Sequence, residues 1–236
     1  MLFSSYIFIL LFLPVTVAVY FLLNKYVSKN EVSLGFLTIA SLVFYGYNNV
    51  FYVPVIVVSI LVNYFLSRMF YRENIKHKKA VLIAGLVIDI GVIFYFKYFD
   101  FFISNMNALL KTDFTLMNIM LPLGISFFTF QQISFLVDSY RGETEDYNFI
   151  EYATFVSFFP QLVAGPIVLH NEIIPQFRNA EKKRFNTDNL VWGIQLFVFG
   201  LFKKAIIADN FSRVVDAGFG SFDSMTSGDI ICVMLC

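Results

Sequence analysis

Long uncharged stretches separated by short charged loops dominate this chain. A membrane-spanning helix needs about 20 mostly apolar residues, and Leu2–Leu23 supplies one. Val32–Ser67 runs for 36 residues without a charge, too long for a single crossing. Gly46-Tyr-Asn-Asn49 and Pro54 divide it into two shorter or tilted helices. Ala80–Ile103 predicts a fourth helix carrying Asp89 and Lys97, and Phe114–Val137 a fifth, interrupted by Pro122 and Gly124. Tyr152–Asn171 is uncharged over 20 residues yet holds Pro160, Gln161, Gly165 and Pro166. Proline removes a backbone donor and clashes one turn back. Backbone freed at membrane depth is tolerated only inside protein or beside a water-filled cavity. Tyr152–Leu169 therefore reads as a broken or re-entrant element lining something polar. Leu190–Phe202 offers only 13 uncharged residues before Lys203-Lys204 and reads as short or re-entrant. Asp229–Cys236 opens a further apolar run.

The fold class expected is all-α: a polytopic transmembrane helix bundle with broken or re-entrant helices, in one domain spanning 1–236. Composition agrees, with 58% hydrophobic and only 14% charged residues against roughly a quarter charged in soluble domains. Mean hydropathy is +0.71, so the solvent for this surface is lipid. The uncharged stretch Met1–Asn24 lacks the basic leader and small-residue cleavage site of a signal peptide. Basic loops orient a bundle. Lys25 and Lys29 follow the first span; Arg68, Arg72, Lys76, Lys78 and Lys79 follow the third; Arg178, Lys182, Lys183 and Arg184 lie in 171–189. An outside N-terminus places the first two loops inside. The third joins them only if Tyr152–Leu169 enters and leaves on one side.

Net charge is zero, so nothing in the charge balance points to nucleic acid. Cys232 and Cys236 are the only cysteines, and no Cys/His spacing suits a metal. No nucleophile elbow or phosphate loop occurs. Ser126, Thr129, Gln131 and Gln132 put polar groups within the fifth span, and Asp138, Tyr140 and Arg141 lie at its end. Their simplest reading is hydrogen bonding between helices with an interfacial Tyr/Arg anchor. Asp89, mid-span, calls for an interior partner, and function and structural pairing are equally open for it. Lys97 can snorkel. His170 could serve as a general base but reads first as a polar residue at the membrane boundary; His77 reads as solvated loop. Lys203 and Lys204 suit anionic lipid before a coenzyme phosphate.

Several motifs, in order, resemble the membrane-bound O-acyltransferase family, in particular its branch of membrane subunits for alginate and exopolysaccharide O-acetylation. They are Leu2-Phe-Ser-Ser-Tyr-Ile-Phe-Ile-Leu-Leu-Phe-Leu-Pro14, Ser41-Leu-Val-Phe-Tyr-Gly-Tyr47 and Leu121-Pro-Leu-Gly-Ile-Ser-Phe-Phe-Thr-Phe-Gln131. Asp138-Ser-Tyr-Arg-Gly142, Phe158-Phe-Pro-Gln-Leu-Val-Ala-Gly-Pro-Ile167 and Gly200-Leu-Phe-Lys-Lys-Ala-Ile-Ile-Ala-Asp-Asn210 complete the set. The resemblance implies a funnel-shaped bundle and transfer of an acetyl or other acyl group from acetyl-CoA, as donor substrate, toward hydroxyls of an extracellular polysaccharide. It also implies a bacterial cytoplasmic membrane location, a secreted or membrane-attached transferase as partner, and no bound cofactor. Cavity candidates are then Gln131, Asp138, Tyr140, Arg141, Gln161, Gly165 and Pro166, with Gly165-Pro166 shaping a turn.

The family's histidine motifs, a Trp-His near an Arg-Arg pair and a Leu-Trp-His-Gly, have no counterpart here: Trp192 is followed by Gly193. His170 aligns with neither, so no catalytic residue is assigned within the chain. The expectation is an amino-terminal part of a protein about twice as long, inactive by itself. A transporter or flippase, or a non-catalytic scaffold for a secreted transferase, are the alternatives. The transporter reading would be favoured by paired broken segments in two related halves, and no internal repeat is evident.

Overall fold

The computed structural model describes residues 1–27, 29–71, 77–162, 165, 168–220 and 226–235. Among the described residues every regular element is helical. In chain order they are α1 (Phe8–Tyr26), α2 (Asn30–Gly46), α3 (Val53–Phe70) with a 3-10 turn before it, and α4 (Lys78–Leu110). There follow α5 (Ile125–Arg141), α6 (Phe149–Ser157), the single turn α7 (Phe159–Leu162), α8 (His170–Arg178), α9 (Thr187–Gly220) and α10 (Ser227–Leu235). Phe8–Tyr26, Val50–Phe70, Lys78–Leu110 and Thr187–Gly220 are each long and apolar enough to cross a membrane. The chain is thus an all-α polytopic membrane bundle.

Three boundaries differ from those read off the sequence. The stretch Phe114–Leu123 is not helical; α5 begins only at Ile125. Gly124 sits left-handed at φ 71° and starts the helix, and side chains supply the preceding loop with alternative partners. The Asp100 carboxylate accepts from the backbone N–H groups of Met117 (2.9 Å) and Ile119 (3.1 Å). Asn107 accepts from the N–H of Phe114 at 2.9 Å and donates to its carbonyl at 2.8 Å. The fourth helix runs on to Leu110, past a π-helical turn at Phe94–Tyr98. Leu190–Phe202 is neither short nor re-entrant. It lies inside one 34-residue helix, which passes Lys203 and Lys204 through a π-helical turn at Lys203–Ala208. The lysines are helix formers with no proline behind them, so nothing there stops the helix.

The structure divides into two compact units, one of Met1 and Thr16–Arg184, the other of Leu2–Val15 and Phe185–Cys236. In the first, Leu34, Leu37, Ile56, Ile60, Phe128, Phe135, Tyr152, Phe155 and Ile174 share one buried core. Lipid is as apolar as these side chains, so their association rests on close packing and hydrogen bonds more than on escape from water. Gly85 on α4 allows such packing, since a Cβ there would run into Leu136 of α5. Polar ties join α2 to α6: the Thr38 and Thr154 hydroxyls lie 2.8 Å apart, and Thr154 Oγ1 is 3.2 Å from the Leu34 carbonyl.

The helix that starts at Phe149 breaks at Phe158, just before Pro160. α6 stops at Ser157, and Ser41 Oγ accepts from the backbone N–H of Phe159 at 3.1 Å. That bond replaces an intrahelical one lost at the break. Beyond it the chain reverses. Arg178, at the end of α8, bonds Glu151 in the first turn of α6 at 2.6 and 2.8 Å, and Phe158 meets Phe177 edge-on at 5.4 Å. The two helices therefore form a hairpin whose ends lie at the same level. Residues 151–157 are all buried, and so are Phe159, Gln161 and Leu162 just past the break, the setting in which irregular backbone survives at membrane depth.

In the second unit Asn186 caps α9, accepting from the N–H groups of Asp188 (2.8 Å) and Asn189 (3.2 Å). Phe8 packs against Phe197 with ring centroids 6.3 Å apart. Lys204 pairs with Asp209 one turn on.

Candidate functional site

Gln131, Asp138 and His170 lie where α5, the 142–148 loop and the hairpin meet. α5 ends because Gly142 adopts φ 75° and the Glu143 N–H reaches the Asp138 carbonyl at 2.9 Å, a left-handed cap suited to glycine. This turns the chain under Asp138. The loop then feeds α6 through a capping box: Asn148 accepts from the Glu151 N–H at 2.8 Å, and Glu151 accepts from the Asn148 N–H at 2.9 Å.

His170, the first residue of α8, is 2% exposed. Its Nε2 lies 3.2 Å from Asp138 Oδ2, and its Nδ1 lies 3.3 Å from the Tyr147 hydroxyl. An ionised carboxylate can only accept, so Nε2 carries the proton and Nδ1 accepts from Tyr147. Phe135 meets the ring edge-on at 5.4 Å. Burial pushes the imidazole pKa down; Asp138 opposes this but does not cancel it, and the group stays below its ordinary value. Both ring nitrogens are engaged. The geometry suits a residue that fastens the hairpin to α5 better than one that takes a substrate's proton. His170 is thus a buried joint between α5, the loop and the hairpin.

A charged cluster holds the loop. Arg178 binds Glu151 through Nε and Nη2, donates through Nη1 to Glu145 at 2.6 Å, and lies 5.0 Å from the Tyr147 ring centroid. Burial raises the Glu151 pKa, but the bonds from Arg178 and the Asn148 N–H outweigh it, leaving the carboxyl below its usual range. Arg68 pairs with Asp146, and the Tyr71 hydroxyl donates to the Glu145 carbonyl at 2.7 Å.

The other candidates are placed as follows. Gln131 is buried and donates to the Val168 carbonyl at 3.3 Å, joining α5 to the hairpin. Tyr140 is exposed and meets Phe70 edge-on. Arg141 is exposed. Gln161 is buried and donates to the Phe155 carbonyl at 2.6 Å, spanning the break. Gly165 returns its N–H to the Gln161 carbonyl at 3.2 Å, and a Cβ on it would lie 2.5 Å from Gln161 Cα. Pro166 lies outside the described residues. Gln131, Asp138 and the hairpin are thus brought together, while Tyr140 and Arg141 sit at the exposed end of α5. Sequence reasoning missed Tyr147 and Arg178. The Asn148-x-x-Glu151 spacing was a readable capping signal and would have placed Tyr147 just ahead of a helix.

A second polar cluster lies between α3 and α4. Asn63 Nδ2 on α3 donates to Asp89 Oδ1 on α4 at 2.8 Å, so the mid-span carboxylate has an interior partner. Both border a groove of about 340 Å³ with apolar walls that include Val58, Ile88 and Phe96.

A model of the membrane-bound O-acyltransferase family matches residues 89–235. The peptidoglycan O-acetyltransferase of Helicobacter pylori is 38% identical over 252 residues, covering 96% of this chain and 48% of that protein. The Pseudomonas aeruginosa protein named "Probable alginate O-acetylase AlgI" is 34% identical over 97% of this chain and 44% of its own length. Its Azotobacter vinelandii counterpart is 32% identical over 97% and 46%. The chain therefore spans about half the length of the curated relatives it matches. No solved structure matches it.

Proposed function

Because the chain belongs to the membrane-bound O-acyltransferase family, we propose that it serves as part of a membrane O-acyltransferase that carries an acetyl group from acetyl-CoA toward hydroxyls of a cell-surface polysaccharide. The observation carrying this reading is the similarity, over nearly the whole chain, to proteins named as O-acetyltransferases of peptidoglycan and alginate. In such a transfer the hydroxyl oxygen gains the acyl group, coenzyme A leaves as its thiol, and a base accepts the hydroxyl proton. His170 is a poor candidate for that base, with both nitrogens engaged, and His77 is exposed among lysines. This chain's contribution is then structural: the hairpin and α5 form one wall of the cavity that receives donor or acceptor, with Gln131, Asp138, Gln161, Gly165 and Pro166 shaping it and Tyr140 and Arg141 at its mouth. Alone it does not turn over acetyl-CoA.

The protein sits in a bacterial cytoplasmic membrane with its N-terminus outside, the orientation that the Lys25/Lys29 and Arg68–Lys79 loops favour. Its partners are membrane lipid and a secreted or membrane-attached transferase that completes delivery to the polymer. The test is a chimera in which this chain replaces the matching half of the Helicobacter pylori peptidoglycan O-acetyltransferase, with O-acetyl content of the wall as the readout. Retained O-acetylation by the chimera, and none by the chain alone, is expected. A membrane-inserted chimera that leaves the wall unacetylated contradicts the reading, and acetyl transfer by the purified chain contradicts the structural role.

A further inference from the structure

Eight buried side-chain atoms of the first unit have no hydrogen-bond partner among the described residues, and those of Asp89, Asn63 and Gln132 belong to one network. Asp89 is 2% exposed, Asn63 1% and Gln132 fully buried. Asn63 Nδ2 serves Asp89 Oδ1 at 2.8 Å and the Ser59 carbonyl at 3.2 Å, while the Ser59 hydroxyl donates to Gln132 Oε1 at 3.1 Å. One network therefore joins α3, α4 and α5. Within it Asp89 Oδ2, Asn63 Oδ1 and Gln132 Nε2 have no hydrogen-bond partner among the described residues. Turning the Asn63 amide over would set its oxygen against a carboxylate, so that assignment is fixed. Turning the Gln132 amide would only exchange which of its polar atoms is orphaned. Among the described residues no cation pairs with Asp89. The Asp89–Asn63 pair borders the groove of about 340 Å³ between α3 and α4.

We propose that Asp89, Asn63 and Gln132 form a binding site for a hydroxyl group within the membrane, distinct from the His170 joint. Two orphaned acceptors, beside a Gln132 amide that can offer either a donor or an acceptor, need a group that donates and can also accept, and a hydroxyl is the smallest that does. Water-sized occupants take two to four such partners. Apolar walls of valine, isoleucine and phenylalanine also suit the body of a membrane-dissolved alcohol. The hydroxyl comes from water or from such an alcohol. An acyl chain, having no donor, does not qualify.

The test is solid-state NMR on the whole chain in lipid nanodiscs, following polarisation transfer from water to the Asp89, Asn63 and Gln132 side chains. Transfer as fast as to an exposed carboxylate such as Glu143 is the expected result and identifies water as the source. Slow water transfer together with contacts to carbon-13-labelled hexadecanol added to the bilayer supports the alcohol source. Slow transfer from water, matching the buried Leu136, without alcohol contacts overturns the proposal. The wild-type spectra decide this even if Asp89→Leu fails to fold. Where Asp89→Leu folds, at least a several-fold loss of transfer to Gln132 is expected, and unchanged transfer counts against the shared site.

Discussion

His170 shows how far a single residue's role depends on what the fold brings to it. In the chain it stands 32 positions from Asp138 and 23 from Tyr147, and no local pattern links them. Sequence reasoning chose Asp138 for its place at a helix end and set His170 aside, and only the returning hairpin unites them. The joint has a consequence for pH. Burial holds the imidazole below its ordinary pKa of about 6.5, so in the window just below that value the unfolded chain binds more protons than the folded one. Stability is therefore complete above the window and falls as pH drops through it, with a slope of up to about 1.4 kcal/mol per pH unit. Thermal unfolding in nanodiscs between pH 7 and 5 measures this. A shallower dependence is expected for His170→Gln, whose amide can still donate to Asp138; equal slopes would show that His170 does not titrate differently on folding.

At the scale of elements, the break in Tyr152–Leu169 was legible because proline has few tolerable positions in a buried helix. What holds the break was not legible: Ser41 and Gln161 replace its lost hydrogen bonds from 118 and 6 residues away. The failed expectation at Phe114–Leu123 has the opposite cause. Its apolar composition suits a helix, but Asp100 and Asn107 satisfy its backbone in another form, and composition carries no sign of that. Gly165 tests the hairpin directly. A methyl there meets backbone and cannot be relieved by a rotamer change, so Gly165→Ala should cost about 2 kcal/mol, the scale of an overpacked site. Gly35→Ala is the control. Nothing lies within 4 Å of its added Cβ, and within a helix the change should be neutral or stabilising by up to about 1 kcal/mol. Equal effects of the two substitutions in thermal unfolding would refute the packing argument.

Across the whole molecule, the apolar stretches and basic loops made the all-α membrane class readable at once, because a chain this poor in charge has few other ways to satisfy its surface. Lengths were less readable. Thr187–Gly220 continues past two lysines, which shows that charges near an expected boundary do not end a helix that retains its backbone bonds. The orientation of the bundle turns on the hairpin. If Phe149–Arg178 enters and leaves on one side, the basic loop after it shares a face with the loops after α1 and α3, and the wall proposed for the acyl-transfer cavity is in place. The most direct measurement puts single cysteines at Asn148 and Asn179 in a background with Cys232 and Cys236 replaced by serine. A membrane-impermeant maleimide is then applied to intact cells and to inverted vesicles. The account predicts that both positions react only in inverted vesicles. Labelling of the two from opposite faces would make the segment a true crossing and contradict the re-entrant hairpin.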